Sequence, residues 1–283
     1  MARVRTLTPD RNRGGTKWWL KNAFNNHDQL RVADPDQDVA EGSIDGAGFD
    51  FKFGENPDTD AGDDVWDGAK PYVFSTSNDI THIASSSAAD DTQEIGIVGL
   101  KQEDDGETWT EVTQYVTLNG QTPVTLETPL IRCYRAWNNA DTGGDLAGDV
   151  SIAVGDAFTN GVPSDLDNLR AKIRIGEGQT LMAVYTVPSG KTAYFYDAFV
   201  GVITDGVQAE TATAQLRARL YGKVFRTRGK IGVVTTGNST FQKRWKYGLP
   251  MPEKPDVKIT IPEVSQTGMD IYSAWEVEIH ENE

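Results

Sequence analysis

The chain of 283 residues carries 42 acidic against 27 basic side chains, a formal charge of −15, with 38% hydrophobic residues and 28 glycines. Such a balance argues against direct nucleic-acid binding, since an acidic surface repels phosphate, and it places the chain in the soluble, turn-rich class. No stretch reaches the roughly eighteen uninterrupted apolar residues of a membrane span, and Cys133, the single cysteine, excludes an intramolecular disulfide and fits assembly in a reducing cytoplasm.

In chain order, the first segment is basic. Arg3, Arg5, Arg11, Arg13, Lys17 and Lys21 stand against Asp10 alone, with no apolar run of a secretory signal. Thr16 is placed to cap two helical turns that put Leu20, Ala23 and Phe24 on one side. Trp18 and Trp19 cannot both share that face, so paired tryptophans among lysines mark either an anchor for a partner's pocket or packing on the chain's own β domain. Arg3, Arg5, Arg11, Arg13, Trp18, Trp19 and Phe24 are thus the candidate docking residues. An acidic zone follows, from Asp34 through Asp45, Asp58, Asp60, Asp63 and Asp64 to Asp67, and its simplest interpretation is a solvated loop. Asp34, Asp36 and Asp38 have the opening spacing of a calcium loop, but Val39 stands where the turning glycine belongs and Asp45 where the bidentate glutamate belongs. No metal is expected. One strand is expected at 48–53, and residues 1–70 read as an extended arm with an acidic loop region.

From residue 71 the texture becomes short strands between turns, at 72–75, 80–84, 93–100, 108–118, 130–137 and 149–154. Ile95 and Ile97 share one face, as do Val112, Val116 and Leu118 before the Asn119-Gly120 turn. This spacing predicts an all-β chain with one or two β-sandwich, jelly-roll-like domains, divided as 71–160 and 161–283, with the boundary in the glycine- and proline-bearing stretch 158–169. Beyond it, 179–204 reads as two strands around the Pro188-Ser-Gly190 turn and as core. Further strands are expected at 212–221, 230–235, 241–247, 257–261 and 271–279. The last places Ile271, Ser273, Trp275, Val277 and Ile279 on one face, whereas Arg217 and Arg219 face away from Leu216 and Ala218, toward solvent or an interface.

Catalytic and cofactor signals are absent. Ser85, Ser86 and Ser87 follow His82, but sequence adjacency is not a triad, and no P-loop, dinucleotide fingerprint or Cys/His metal spacing occurs. No enzyme activity and no cofactor are expected.

The runs 80–94 (ITHIASSSAADDTQE) and 116–123 (VTLNGQTP), with 178–194 and 252–256, resemble virion structural proteins of tailed bacteriophages, marine ones in particular. The resemblance covers about residues 72–283 and implies a non-enzymatic component that decorates or cements the capsid, or a head fibre. It further implies assembly in the host cytoplasm, the major capsid protein or other virion proteins as partners, and a homo-oligomer, with a trimer favoured. Two alternatives stand beside it. One is a tail or connector ring component, and the other a host-surface or carbohydrate-binding adhesin that stacks sugars on Trp109, Trp137 or Tyr247.

Overall fold

The computed structural model describes residues 46–139, 144–203, 210–235 and 239–282. β-Branched and aromatic residues at alternate positions favour a pleated, half-buried surface, and the chain is accordingly all-β, with no α-helix among the described residues. It opens with β1 (Ala47–Thr59), β2 (Ile80–Ser85), β3 (Glu94–Gln102), β4 (Trp109–Thr117), β5 (Val124–Leu130), β6 (Arg132–Asn138) and β7 (Val150–Val154). A small hairpin, β8 (Phe158–Thr159) and β9 (Val162–Pro163), and a 3-10 turn at Leu166–Asn168 lead to β10 (Leu169–Ile173). Then come β11 (Val184–Thr186), β12 (Lys191–Ile203), β13 (Glu210–Leu220), β14 (Arg226–Thr235), β15 (Ser239–Met251), β16 (Pro255–Val264) and β17 (Met269–Glu281).

Two sheets, ordered β1-β17-β12-β15 and β11-β16-β13-β14, close over one core. Phe195, Val200, Ile271 and Trp275 from the first sheet meet Leu216, Val257, Ile259 and Ile261 from the second. Counted separately in chain order, these eight strands lie 1-8-3-6 and 2-7-4-5. That is the alternation two interlocked Greek keys produce, a jelly roll. Between its first and second strands the chain inserts a second sandwich, with sheets β10-β7-β2-β5 and β4-β3-β6. Ile80, Ile83, Ile95, Ile97, Leu130, Val150, Ile152 and Ile173 form that separate core.

Four features depart from what local pattern suggests. The strand expected at 48–53 runs the full length of β1 and pairs antiparallel with β17, from Ala47↔His280 to Asn56↔Ile271, so it belongs to the jelly roll and not to an arm. Glycine and proline near 160 make the β8–β9 hairpin and not a boundary, because β10 beyond it pairs back onto β7. The two strands around Pro188–Gly190 do not pair with each other: β11 pairs with β16 and β12 with β15 and β17, so the turn carries the chain across the core. Residues 72–75 are not a strand. They pack Tyr72 and Phe74 into the second core instead.

The acidic zone is only partly solvated. Asp58 and Asp60 are exposed, but Asp63, Asp64 and Asp67 are buried. Asp64 accepts from Lys258 Nζ at 2.5 Å, from Thr260 Oγ1 at 2.5 Å and from the Tyr72 amide at 2.6 Å. A buried carboxylate is tolerated because a cation and two further donors satisfy it, and this one fastens the segment after β1 to β16.

Candidate docking groove

β1 is an edge strand, and its sequence sets two faces. Phe49, Phe51 and Phe53 alternate with Asp50, Lys52 and Gly54. On the outer face Phe51 lies 6.3 Å from the Phe199 ring and Phe53 lies 6.1 Å from Tyr272, both tilted. Phe51 is 53% exposed. The inner face is tight, for a Cβ on Gly54 would stand 2.1 Å from the Ala183 amide nitrogen.

Hydrogen-bond phase follows from one contact. The Glu281 amide donates to the Gly46 carbonyl at 2.7 Å. In an antiparallel ladder, bonded and non-bonded pairs alternate, so residues 48, 50 and 52 turn their main-chain groups toward β17, and Ala47, Phe49, Phe51 and Phe53 turn theirs away. The edge is taken up again where the Glu55 amide donates to the Leu181 carbonyl at 3.3 Å. From 47 to 53 the outward groups have no main-chain partner among the described residues.

A groove of about 480 Å³ runs beside this open edge. Phe49 to Phe53 form one wall, and Tyr134, Arg135, Gln179, Thr180 and Met182 form the other. A second hollow of about 440 Å³ continues past Gly46 and Ala47 to Glu111, Tyr185 and Lys191.

Lys52 forms the floor between them. It is 4% exposed, its Nζ donates to the Tyr134 carbonyl at 3.3 Å, and Asp50 lies at 3.5 Å. The ammonium sits 4.4 Å from the Tyr134 ring centroid and 5.2 Å from that of Tyr185, near enough for cation–π attraction. Burial pushes the amine below its ordinary value, while Asp50 pulls it back up. Burial likewise raises the Tyr134 and Tyr185 phenols well above theirs, and the Tyr134 hydroxyl donates to the Glu111 carboxylate. An open strand edge bordered by two hollows suits capture of an extended segment by strand addition.

The candidate docking residues Arg3, Arg5, Arg11, Arg13, Trp18, Trp19 and Phe24, and the aspartates at 34, 36 and 38, lie outside the described residues. Trp109 is 2% exposed and belongs to the core, so it offers no sugar-stacking face. Trp137 is half-buried, edge-on to the exposed Tyr115 at 6.0 Å, and the Tyr247 side chain is outside the description. His82 is held by Thr81 and Thr125 Oγ1 at 2.8 and 3.1 Å, whereas Ser85 Oγ donates to Asp90 at 2.5 Å, so serine and histidine are not joined. Among the described residues no group of His, Cys, Asp and Glu is placed to hold a metal. Lys52 was unreadable as a site residue in sequence, because a lysine between phenylalanines signals the solvent face. It is buried by Tyr134 of the inserted sandwich together with Tyr185 of the facing jelly-roll sheet, contacts that no local pattern reveals.

No protein-family model matches the chain, and no curated protein matches it.

Proposed function

We propose that this chain is a structural, non-enzymatic component of a tailed-bacteriophage particle that decorates or cements the capsid shell through its N-terminal arm. The observation that carries the proposal is the closure of β1 on β17. Gly46, where the first 45 residues join the fold, is bonded to Glu281 on a rigid sheet edge that borders the open groove. A segment leaving such an edge transmits load directly into a jelly roll, and an extended arm gains contact area on a shell without a core of its own. The major capsid protein and further copies of the chain are the partners in this proposal.

Deleting Met1–Asn26 tests it. The truncated chain should keep its unfolding transition and be missing from purified particles, in which the full chain is present at a copy number comparable to the capsid protein. Normal incorporation of the truncation would sink the arm. A copy number far below that of the capsid protein would favour the tail or connector alternative.

A second possibility, an adhesin, is favoured by one observation, the exposed Tyr115 beside Trp137. Glycan binding lost in both Tyr115→Ala and Trp137→Ala would support it.

A further inference from the structure

Charge is divided between the two sandwiches. Between residues 211 and 252 the sequence holds nine basic and no acidic side chains. Between 80 and 173, the inserted sandwich, it holds fifteen acidic and five basic ones. The basic stretch is β13 to β15, and β14 and β15 are each the outermost strand of their sheet, side by side at one wall of the jelly roll. Arg226, Arg228, Lys230, Lys243 and Arg244 are exposed on this wall, as is Lys223 in the turn that leads into β14. Arg226, Arg228 and Lys230 make no ion pair among the described residues, and Arg244 stands 3.8 Å from Asp197.

Charges on edge strands also keep sheets from joining edge to edge. Either sign would serve that purpose, and a chain with net charge −15 would meet it most simply with the carboxylates it has in excess. The exclusive use of cations here, in a chain whose inserted sandwich is strongly acidic, calls for a partner of negative charge. A nucleic acid is disfavoured as that partner because the rest of the surface repels it.

We propose that the β14–β15 wall of one copy docks on the acidic inserted sandwich of a second copy, in a head-to-tail contact. Such a contact joins two different patches, so repeated copies close into a ring when the rotation allows. The inference deepens the assembly proposal and rests on it for the choice of partner. Attraction acts at short range, since charges are screened beyond about 8 Å at physiological salt, so the contact forms between apposed surfaces despite the like net charge of the copies.

The test uses the purified full chain and light scattering at about 0.1 M and about 0.5 M salt. The wild type should associate at the lower salt and dissociate at the higher. A variant carrying Arg226→Glu, Arg228→Glu and Lys230→Glu should associate at least about tenfold more weakly, as expected for reversed rim charges. A second variant carrying Asp91→Lys and Asp145→Lys, exposed positions at the end of the inserted sandwich where the Gln93 side chain meets the Asp145 carbonyl, should be weakened likewise. Mixing the two variants should restore association, which simple misfolding of either could not do. A wild type that is monomeric at both salts, or association indifferent to both reversals, overturns the proposal. So does a wild type that binds duplex DNA or heparin through this wall while remaining monomeric, which would assign the surface to a polyanion. Particle incorporation of a chain that is monomeric in solution would overturn this contact alone and leave the assembly proposal standing.

Discussion

Arg132 of the inserted sandwich and Asp256 of the jelly roll are locked together across the boundary between them. Nε lies 2.8 Å from Oδ1 and Nη2 lies 3.1 Å from Oδ2, and the two residues are 2% and 0% exposed. Arg132 also donates to the Ser75 and Ile131 carbonyls, while Asp256 accepts from Thr186 Oγ1 at 2.8 Å and Arg219 Nε at 3.0 Å. Asp256→Ala would leave a guanidinium buried without its counter-ion, a change that costs about 3–5 kcal/mol. Urea unfolding should show that loss, and the double variant Arg132→Met with Asp256→Ala should lose less than the sum of the two single changes. A loss under about 1 kcal/mol in Asp256→Ala would mean that this ion pair is not what holds the sandwiches together.

The elements that sequence made legible are those whose pattern is local. Ile95 with Ile97, Val116 with Leu118, and Ile271, Ser273, Trp275 and Val277 all face inward as alternation requires. Alternation says nothing about which strand lies alongside. The pairing of β1 with β17 spans nearly the whole chain, and the crossing of β11 and β12 into opposite sheets depends on Val184 and Phe195 finding partners more than fifty residues away. The groove inherits that illegibility, because its two walls come from Phe49–Phe53 and from Tyr134–Arg135. Arg219 shows the same limit. Its outward register was legible, but its contact with Asp256 was not.

Gly54 tests whether β1 is integral to the fold. A methyl group there would meet the Ala183 amide at 2.1 Å and the Val65 carbonyl oxygen at 2.6 Å, both main-chain atoms that cannot rotate away. Gly54→Ala should therefore destabilise by about 1–3 kcal/mol or more, and hydrogen exchange should quicken first at β1 and at its β17 neighbours. Unchanged protection along β17 would show that β1 is dispensable to the sheet.

Asp67 should make stability depend on pH. It accepts from Arg174 Nε at 2.7 Å and from the Leu181 amide, yet burial outweighs both and pushes its carboxyl up to about 7. An unfolded aspartate titrates near 3.9. Between about pH 4 and about pH 7 the folded chain thus holds a proton that the unfolded chain has released, so the Asp67 contribution is full below about pH 4 and is lost as pH rises through 7. The stability of the wild type relative to Asp67→Asn should fall across that window, measured by urea midpoints at several pH values. A difference that does not change with pH would place the Asp67 carboxylate in its ionised form throughout.

Asp90 accounts for the serine run beside His82. The carboxylate is fully buried and accepts from Ser85 Oγ at 2.5 Å, from the Ala147 amide at 2.8 Å and from the Gly148 amide at 3.0 Å, while the Asp90 carbonyl takes the Gly120 amide at 2.7 Å. The side chain and main chain of this one residue thereby tie three loops of the inserted sandwich together, and the hydroxyl of Ser85 is spent as a donor to the carboxylate. Replacing Asp90 with alanine strands two buried amides and a hydroxyl, each costing about 1–3 kcal/mol when unsatisfied. Asp90→Ala should therefore destabilise far more than His82→Ala, whose ring is held only by two threonine hydroxyls at the surface. Equal losses in the two variants would show that the histidine, and not the aspartate, organises this end of the sheet.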